Sequence, residues 1–272
     1  MNSVVRKSAN PFSMSPDPHL FYFSRQHVEC LQLLESTIRL KSGLNVVLGD
    51  VGTGKTTLGR ILIRLFKDKP EYIFRMILDP KFTSEDEFLS HLLQLFEVKT
   101  EATSCLGRKD ALENFLYFKG VRERRIPVLI IDEGQKLTSA MMEIIRSLLN
   151  YETNEFKLIQ VVILAQLELA AQIRQMPNFM DRIAGSYVLQ PMDQEDLMRM
   201  IGYRLKKCGY DDLHGVFTKD ALLKIYDHSR GFPRKAINLC YHAMMVKMND
   251  QLDVIGEDVV TYNIRRKEVT YV

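Results

Sequence analysis

With 272 residues the chain suits one large domain or a medium domain with a smaller companion, and a core is easily buried at that length. Its formal net charge of +3, from 37 Lys and Arg against 34 Asp and Glu, is too mild to imply nucleic acid or a membrane surface by itself. The composition, 46% hydrophobic and 26% charged, is that of an ordinary globular protein; no apolar run reaches membrane-spanning length and the opening MNSVVRKSANPF lacks the apolar stretch of a signal peptide, so a cytoplasmic location is expected.

Residues 1–23 hold NPFSMSPDPHLFYF, where three prolines in eight residues exclude a helix. The apolar rings need a surface, so this stretch reads as a strap on the body. A helix comes next, with Ser24 as its cap and Val28, Leu31, Leu34 and Ile38 as an apolar stripe; Gly43 ends it. LNVVLG (44–49) reads as a strand buried on both faces, and a helix starts after a Gly-rich turn. YIFRMIL (72–78) is the next strand. SEDEFLSHLLQLF (84–96) opens with a Ser cap and an acidic first turn, then places Phe88, Leu92 and Leu95 on one face.

A helix around 106–123 precedes the strand VLIID (128–132), opened by Pro127. The helix 139–150 carries Met141, Ile144, Ile145 and Leu148. LIQVVILA (158–165) is a further buried strand, succeeded by a helix near 167–175 and a short strand YVL (187–189). Strands alternating with helices indicate a parallel sheet with helices on both faces. After Pro191 come three amphipathic helical segments, 193–208, 218–229 and 233–248, with no strand run between them. The expected organisation is an α/β domain with its strap over 1–190 and a small all-helical domain over 191–272.

GDVGTGKT (49–56) matches the phosphate-loop pattern G-x-x-x-x-G-K-[ST], entered by a buried strand and left by a helix that starts at the Lys. Gly49, Gly52 and Gly54 are expected to let the backbone turn tightly, so that the N–H groups of Asp50, Val51, Thr53 and their neighbours point at phosphates. The helix that carries Thr57 adds its positive end. Lys55 brings a charge to the β- and γ-phosphates of ATP, and Thr56 offers a hydroxyl to Mg²⁺.

VLIIDE (128–133) sets two acids at the end of a buried strand, an expensive place for carboxylates without work. Asp132 is the expected Mg²⁺ residue, and Glu133 the general base that polarises the attacking water. That pair distinguishes phosphate-loop proteins that hydrolyse ATP from those that only hold it.

These residues carry a resemblance. The chain resembles an AAA+ ATPase, and within that class is similar to the general secretion pathway protein A group. The matching stretches are NPFSMSPDPHLFYFSRQHVECLQLL, GDVGTGKTTL, VLIIDEGQKL, LLNYET, KLIQVVILAQLEL, RIAGSYVLQPM and SRGFPRKAINLCYHAMM, in order over nearly the whole chain. The resemblance implies that Gln166 is the sensor 1 residue at the γ-phosphate or the water. Arg234, in GFPR (231–234), is the sensor 2 residue reaching from the lid. Arg182 is the arginine finger that completes a neighbouring subunit's site; the family often has a second Arg four residues on, where this chain has Ser186. It also implies an adenine cover made by the strap, with Pro16, Phe21 and Tyr22 against the base, plain core packing being the alternative. Asp79, ending the second strand, is a candidate polar switch near the water.

Two basic clusters, KGVRERR (119–125) and IRRK (264–267), can meet DNA phosphates or simply face solvent, and no aromatic interleaving marks either as a groove. Six histidines form no H-x-x-H pair, and Cys30, Cys105, Cys208 and Cys240 are not spaced as metal ligands; the thiols are expected reduced and packed inside. Two functions stay open. One is a Mg²⁺-dependent ATPase that assembles or remodels a macromolecular complex of a secretion machine. The other is a DNA-associated regulator of transposition forming ATP-dependent rings or filaments on double-stranded DNA. Both imply ATP and ADP as ligands, a homo-oligomer with its site completed in trans, and a protein partner from one of those machines. A module that only holds ATP is disfavoured by Glu133.

Overall fold

In the computed structural model, residues 10–13 and 18–270 are described, with side chains through Arg266. The chain divides into two compact units. One consists of His27–Val51 and Leu58–Leu189; the other gathers the N-terminal stretch to Gln26, Gly52–Thr57 and the chain from Gln190 onward.

The first unit is built on five parallel strands, β1 (Leu44–Gly49), β2 (Tyr72–Ile77), β3 (Ile126–Ile131), β4 (Gln160–Ala165) and β5 (Ile183–Leu189), in the order β2-β3-β4-β1-β5. Helices lie around this sheet: α1 (Arg25–Arg39), α2 (Lys55–Leu65), α3 (Glu85–Leu95), α4 (Cys105–Tyr117), α5 (Ser139–Leu148), α6 (Glu168–Arg174) and α7 (Pro177–Met180). β3 and β4 are buried at every position, as continuous apolar runs inside a parallel sheet must be. Pro127 sits within β3 rather than ahead of it. The pairing with β4 begins only at Val128, so the missing N–H falls where the ladder on that side has not started.

Several boundaries differ from the sequence expectation. β5 starts at Ile183, four residues before YVL, because Gly185 and Ser186 pair with Asn45 and Val46 of β1. Ala, Gly and Ser are poor strand formers, so only the tertiary pairing reveals them. Gly185 is required there: a Cβ on it would lie 2.4 Å from the Asn45 Oδ1. The long helix expected to 123 ends at Tyr117 and gives way to a π-helical turn, Phe118–Arg122. In that turn Gly120 packs so tightly on Leu158 that a Cβ would come within 2.9 Å of its Cδ2. On α1, Leu31, Leu34 and Ile38 are buried as expected, but Val28 is 39% exposed and Cys30 takes the inward place. All four expected residues of α5 are buried, whereas in α3 Leu89 and Leu93 join Phe88 and Leu92 while Leu95 lies half-buried.

The second unit packs α8 (Gln194–Lys207), α9 (Lys219–Ser229), α10 (Pro233–Asn249) and α11 (Glu257–Thr270). α11 is a fourth helix where sequence periodicity suggested three. Its apolar stripe is short, with Val259 and Val260 buried beside Asn263. The N-terminal stretch belongs to this unit. Phe12 is fully buried, edge-on to Phe217 at 6.0 Å, and Arg204 donates from Nη1 to the Pro11 carbonyl at 3.1 Å. Pro16 lies outside the described residues. No helix among the described residues is long and apolar enough to cross a membrane.

Candidate nucleotide site

Because all five strands are parallel, their C-terminal ends share one edge of the sheet. Along that edge, β5 ends at Leu189, β1 at Gly49, β4 at Ala165 just before Gln166, β3 at Ile131 just before Asp132, and β2 two residues before Asp79. The strand order thus sets Gln166 between the phosphate-loop strand and the strand of the acidic pair. At a spacing of about 4.8 Å per strand, β1 and β3 end about 10 Å apart.

The loop after β1 has the geometry its glycines permit. Gly52 (φ +88°) and Gly54 (φ +102°) occupy the left-handed region, while Gly49 does not; it closes β1 opposite Leu189. Asp50 and Val51 are exposed, Thr56 and Thr57 half-buried, and α2 begins at Lys55 as expected. Lys55 is 7% and Thr53 2% exposed, so a lysine is held inward at a helix N-terminus. A cation at that end is disfavoured by the helix dipole unless an anion joins it. Within the same unit Arg234 lies against the loop: its backbone N–H donates to the Gly52 carbonyl at 3.4 Å, and a Cβ on Gly52 would sit 3.0 Å from its own. Gly231 shapes this approach. It is left-handed at φ +76°, and a Cβ there would lie 2.0 Å from the Met192 carbonyl oxygen.

Asp132 is 3% exposed, and its Oδ1 accepts the Glu133 backbone N–H at 2.9 Å. Glu133 itself adopts φ +52°, ψ +35°, a left-handed conformation unusual for a residue with a side chain. The neighbouring glycine shows why: a Cβ on Gly134 would come 2.3 Å from Ile163 Cγ2, so the chain turns hard against β4. Strain of this kind costs about 1–3 kcal/mol and persists where the surroundings over-determine it.

Gln135 is a residue that the sequence marked only through the D-E-x-Q pairing of the resemblance, with no role assigned. Its Nε2 donates to the Glu133 Oε2 at 2.8 Å and its Oε1 accepts the Gln166 backbone N–H at 3.0 Å. Lys136 Nζ lies 3.8 Å from the same carboxylate oxygen and 3.1 Å from the Asp79 Oδ1, so Asp79 joins this group through a lysine. The spacing D-E-x-Q is visible in the sequence as part of a resemblance, but nothing in it says which way the amide would face.

Two further expected residues are Tyr22 and Arg182. Tyr22, in the helical unit, donates its hydroxyl to the Asp196 Oδ1 at 3.1 Å and packs 5.9 Å from Tyr203; burial, then the Asp196 carboxylate, pushes its pKa up. Phe21 stacks edge-on to Phe23 at 5.1 Å. Arg182 immediately precedes β5, at the opposite end of the sheet from the phosphate loop. Ile183 pairs with Leu44, so Arg182 is a strand's length, roughly 20 Å, from Gly49. Its side chain makes no ion pair among the described residues. Its charge nonetheless adds to the lowering of the Glu152 carboxyl pKa, whose first cause is the Lys157 hydrogen bond. Ser186 lies exposed within β5, opposite Val46.

A cleft of about 610 Å³ opens at that opposite edge, where β2 and β3 begin. Lys67, Lys69, Arg75, Lys99, Lys119 and Arg125 line it, against one acidic residue, Glu97. Phe74 and Phe118 lie among them. Phe118 adjoins the linear cluster 119–125 in its own turn, and Phe74 is brought to it by β2. Several of the cations are already paired: Arg75 with Glu97 at 2.9 Å and Lys119 with Glu123 at 2.8 Å; Lys67 and Lys99 form no ion pair among the described residues.

The available oxygen donors suit Mg²⁺ as that ion is commonly held. No cluster of three or more His, Cys, Asp and Glu occurs among the described residues; at the end of β3 the buried Asp132 is the carboxylate that would meet such a cation. Mg²⁺ typically takes one or two protein oxygens and completes its shell with phosphates and water. Cys30, Cys208 and Cys240 are buried and Cys105 half-buried; burial alone pushes the Cys30 thiol up to about 12.

A model of the AAA domain matches residues 38–173. General secretion pathway protein A of Aeromonas hydrophila is 32% identical over 241 residues, covering 88% of this chain and 43% of that protein; the chain spans less than half the length of this relative. Among solved structures, the Aeropyrum pernix ORC2 protein in ADPNP–ADP complexes aligns with a TM-score of 0.67 at 17% identity, over 95% of this chain and 71% of that one. Cdc6p from Pyrobaculum aerophilum gives 0.67 at 19%, over 90% and 67%. The Thermotoga maritima RuvB Holliday junction branch migration motor gives 0.58 at 17%, over 89% and 69%. At these identities the structures speak to the fold alone.

Proposed function

The chain belongs to the AAA domain family, and on that premise we propose that it binds ATP with Mg²⁺ at the loop 49–56 and hydrolyses it. The observation that carries this reading is the sheet order: the phosphate-loop strand and the strand of Asp132 and Glu133 end on one edge, with a single strand between them. Bound Mg²⁺ supplies charge neutralisation on the β- and γ-phosphates. Thr56 and Asp132 are the residues that would hold it, Lys55 would bring its charge to the same phosphates, and the backbone of Gly49–Thr57 would cradle them. Glu133 takes the proton of the attacking water. Gln166 contacts the γ-phosphate or that water, and Arg234, packed on Gly52, couples the nucleotide to the helical lid after residue 190. Arg182 cannot serve its own loop from a strand's length away, so it completes the site of a second copy in a ring or filament.

The work driven is the assembly or remodelling of a macromolecular complex, as supported by the likeness to general secretion pathway protein A. Phosphate release by wild type and Glu133→Gln tests the chemistry. Wild type turns over ATP with Mg²⁺; the variant keeps labelled-ATP binding and loses turnover about a hundredfold or more. Equal turnover in the two overturns the assignment of the base.

A second reading, an ATPase that assembles on DNA, draws support from the cleft that Lys67 and Lys99 help to line. Fluorescence anisotropy with labelled single- and double-stranded oligonucleotides should show binding that weakens as salt rises, because phosphate contacts release counterions. Lys67→Glu with Lys99→Glu should abolish it. Binding untouched by that double change removes the reading.

A further inference from the structure

The amide of Gln135 is the feature the proposed chemistry does not yet use. An amide offers a donor on one side and an acceptor on the other, and both are engaged here. Nε2 donates to the Glu133 Oε2 at 2.8 Å; Oε1 accepts from the Gln166 N–H at 3.0 Å. The second bond settles the first, since a backbone N–H can only donate, and the amide must turn its oxygen to it. Gln135 therefore presents its NH₂ to the carboxylate with no freedom to flip. Glu133 is otherwise poorly restrained. Its side chain is 39% exposed and its other partner, the Lys136 ammonium, stands 3.8 Å away on a flexible stem shared with Asp79.

We infer that Gln135 is the positioning residue for the Glu133 carboxylate and ties it to the end of β4 at Gln166. The inference rests on the reading of Glu133 as the general base. The physical reason is economy of motion. The backbone of Glu133 is already pinned by its left-handed turn and by Gly134 against Ile163. Only the side-chain torsions remain free, and one hydrogen bond to a fixed amide removes most of that freedom. The anchor of the amide is the first N–H beyond β4, so a shift of the chain at Gln166 is carried to the carboxylate through two hydrogen bonds. A residue that reads the γ-phosphate at 166 and the base at 133 are in this way mechanically joined. Gln135 itself need not touch nucleotide.

Two substitutions separate this role from packing. Gln135→Met keeps the side chain's length and loses both hydrogen bonds; Gln135→Glu keeps the acceptor for Gln166 and sets a second carboxylate against Glu133. Steady-state phosphate release and labelled-ATP affinity are measured on wild type, both variants and Glu133→Gln, with a thermal melt of each. The expected result is a kcat lowered roughly ten- to hundredfold in Gln135→Met, lower still in Gln135→Glu, with KM and ATP affinity within about twofold of wild type. A Gln135→Met enzyme with wild-type kcat overturns the inference, as does a kcat loss matched by loss of ATP affinity or of folded protein. If wild type releases no phosphate, or Glu133→Gln releases it equally fast, it is the hydrolysis reading that fails, and the inference falls with it.

Discussion

Single residues in this protein owe their chemistry to their neighbours' constraints more than to their own type. Glu133 is one acid among 34 acidic residues, and what sets it apart is a strained backbone, a buried Asp132 before it and a glycine after it. Lys55 is held inward at the start of a helix. The thiols obey the same logic. Cys30 and Cys240 have pKa values raised by burial, so their thiolate fraction at neutral pH is negligible, and Cys208 is buried as well. Native protein treated with a thiol-reactive chromophore should therefore label Cys105 first, with the other three reacting only on unfolding. Rapid labelling of all four in the native state would show that these packing environments are open. The expectation of four interior cysteines holds for three; α4 leaves Cys105 half-buried at its start.

At the scale of elements, the turns between helices and strands carry the site. The loop Ser229–Pro233 delivers Arg234 onto Gly52, and it does so through Gly231, whose backbone conformation and contact with Met192 exclude a side chain. Gly231→Ala should lower the stability of the helical unit by about 1–3 kcal/mol, and move its thermal transition down by several degrees. A conservative-looking change elsewhere in α10, such as Lys235→Arg on its surface, should leave the transition in place. An unshifted transition in Gly231→Ala would mean that the chain rearranges around Met192. Much of the element pattern was legible in advance. Buried runs announced β1, β3 and β4, and caps announced α3. What escaped was β5 before residue 187, whose small residues have no strand preference of their own, and α11, whose apolar stripe is too short to stand out. The strap was legible as an irregular apolar segment, but its host was not: Phe12 fills the core around Phe217, far away along the chain.

For the whole molecule, the position of Arg182 is the informative fact. A residue just before β5 and a loop at the end of β1 lie at opposite edges of one parallel sheet, and no side chain spans that length. If Arg182 acts on phosphate, it acts in another copy. Arg182→Ala and Lys55→Ala subunits should each be inactive alone, since one lacks the finger and the other the phosphate lysine. Mixed in equal amounts they should recover a part of wild-type turnover, and turnover of wild type should rise with protein concentration. Absence of recovery in the mixture, with both variants folded, would remove the trans assignment.

Local sequence was enough for the Gly-rich turn between β1 and α2, the two acids that follow β3, the alternation that makes a parallel sheet, and the helical character of the chain after residue 190. A motif, a run of apolar residues or a helical period is written within neighbouring positions, and needs no distant contact to be read. The strand order that sets Gln166 between loop and acids, the direction of the Gln135 amide, and the convergence of cations from several elements on one cleft came only with the folded chain. So did the packing of the strap on the helices. Each of these depends on contacts between residues far apart in the chain, and their geometry exists only once the sheet and the helical core have formed.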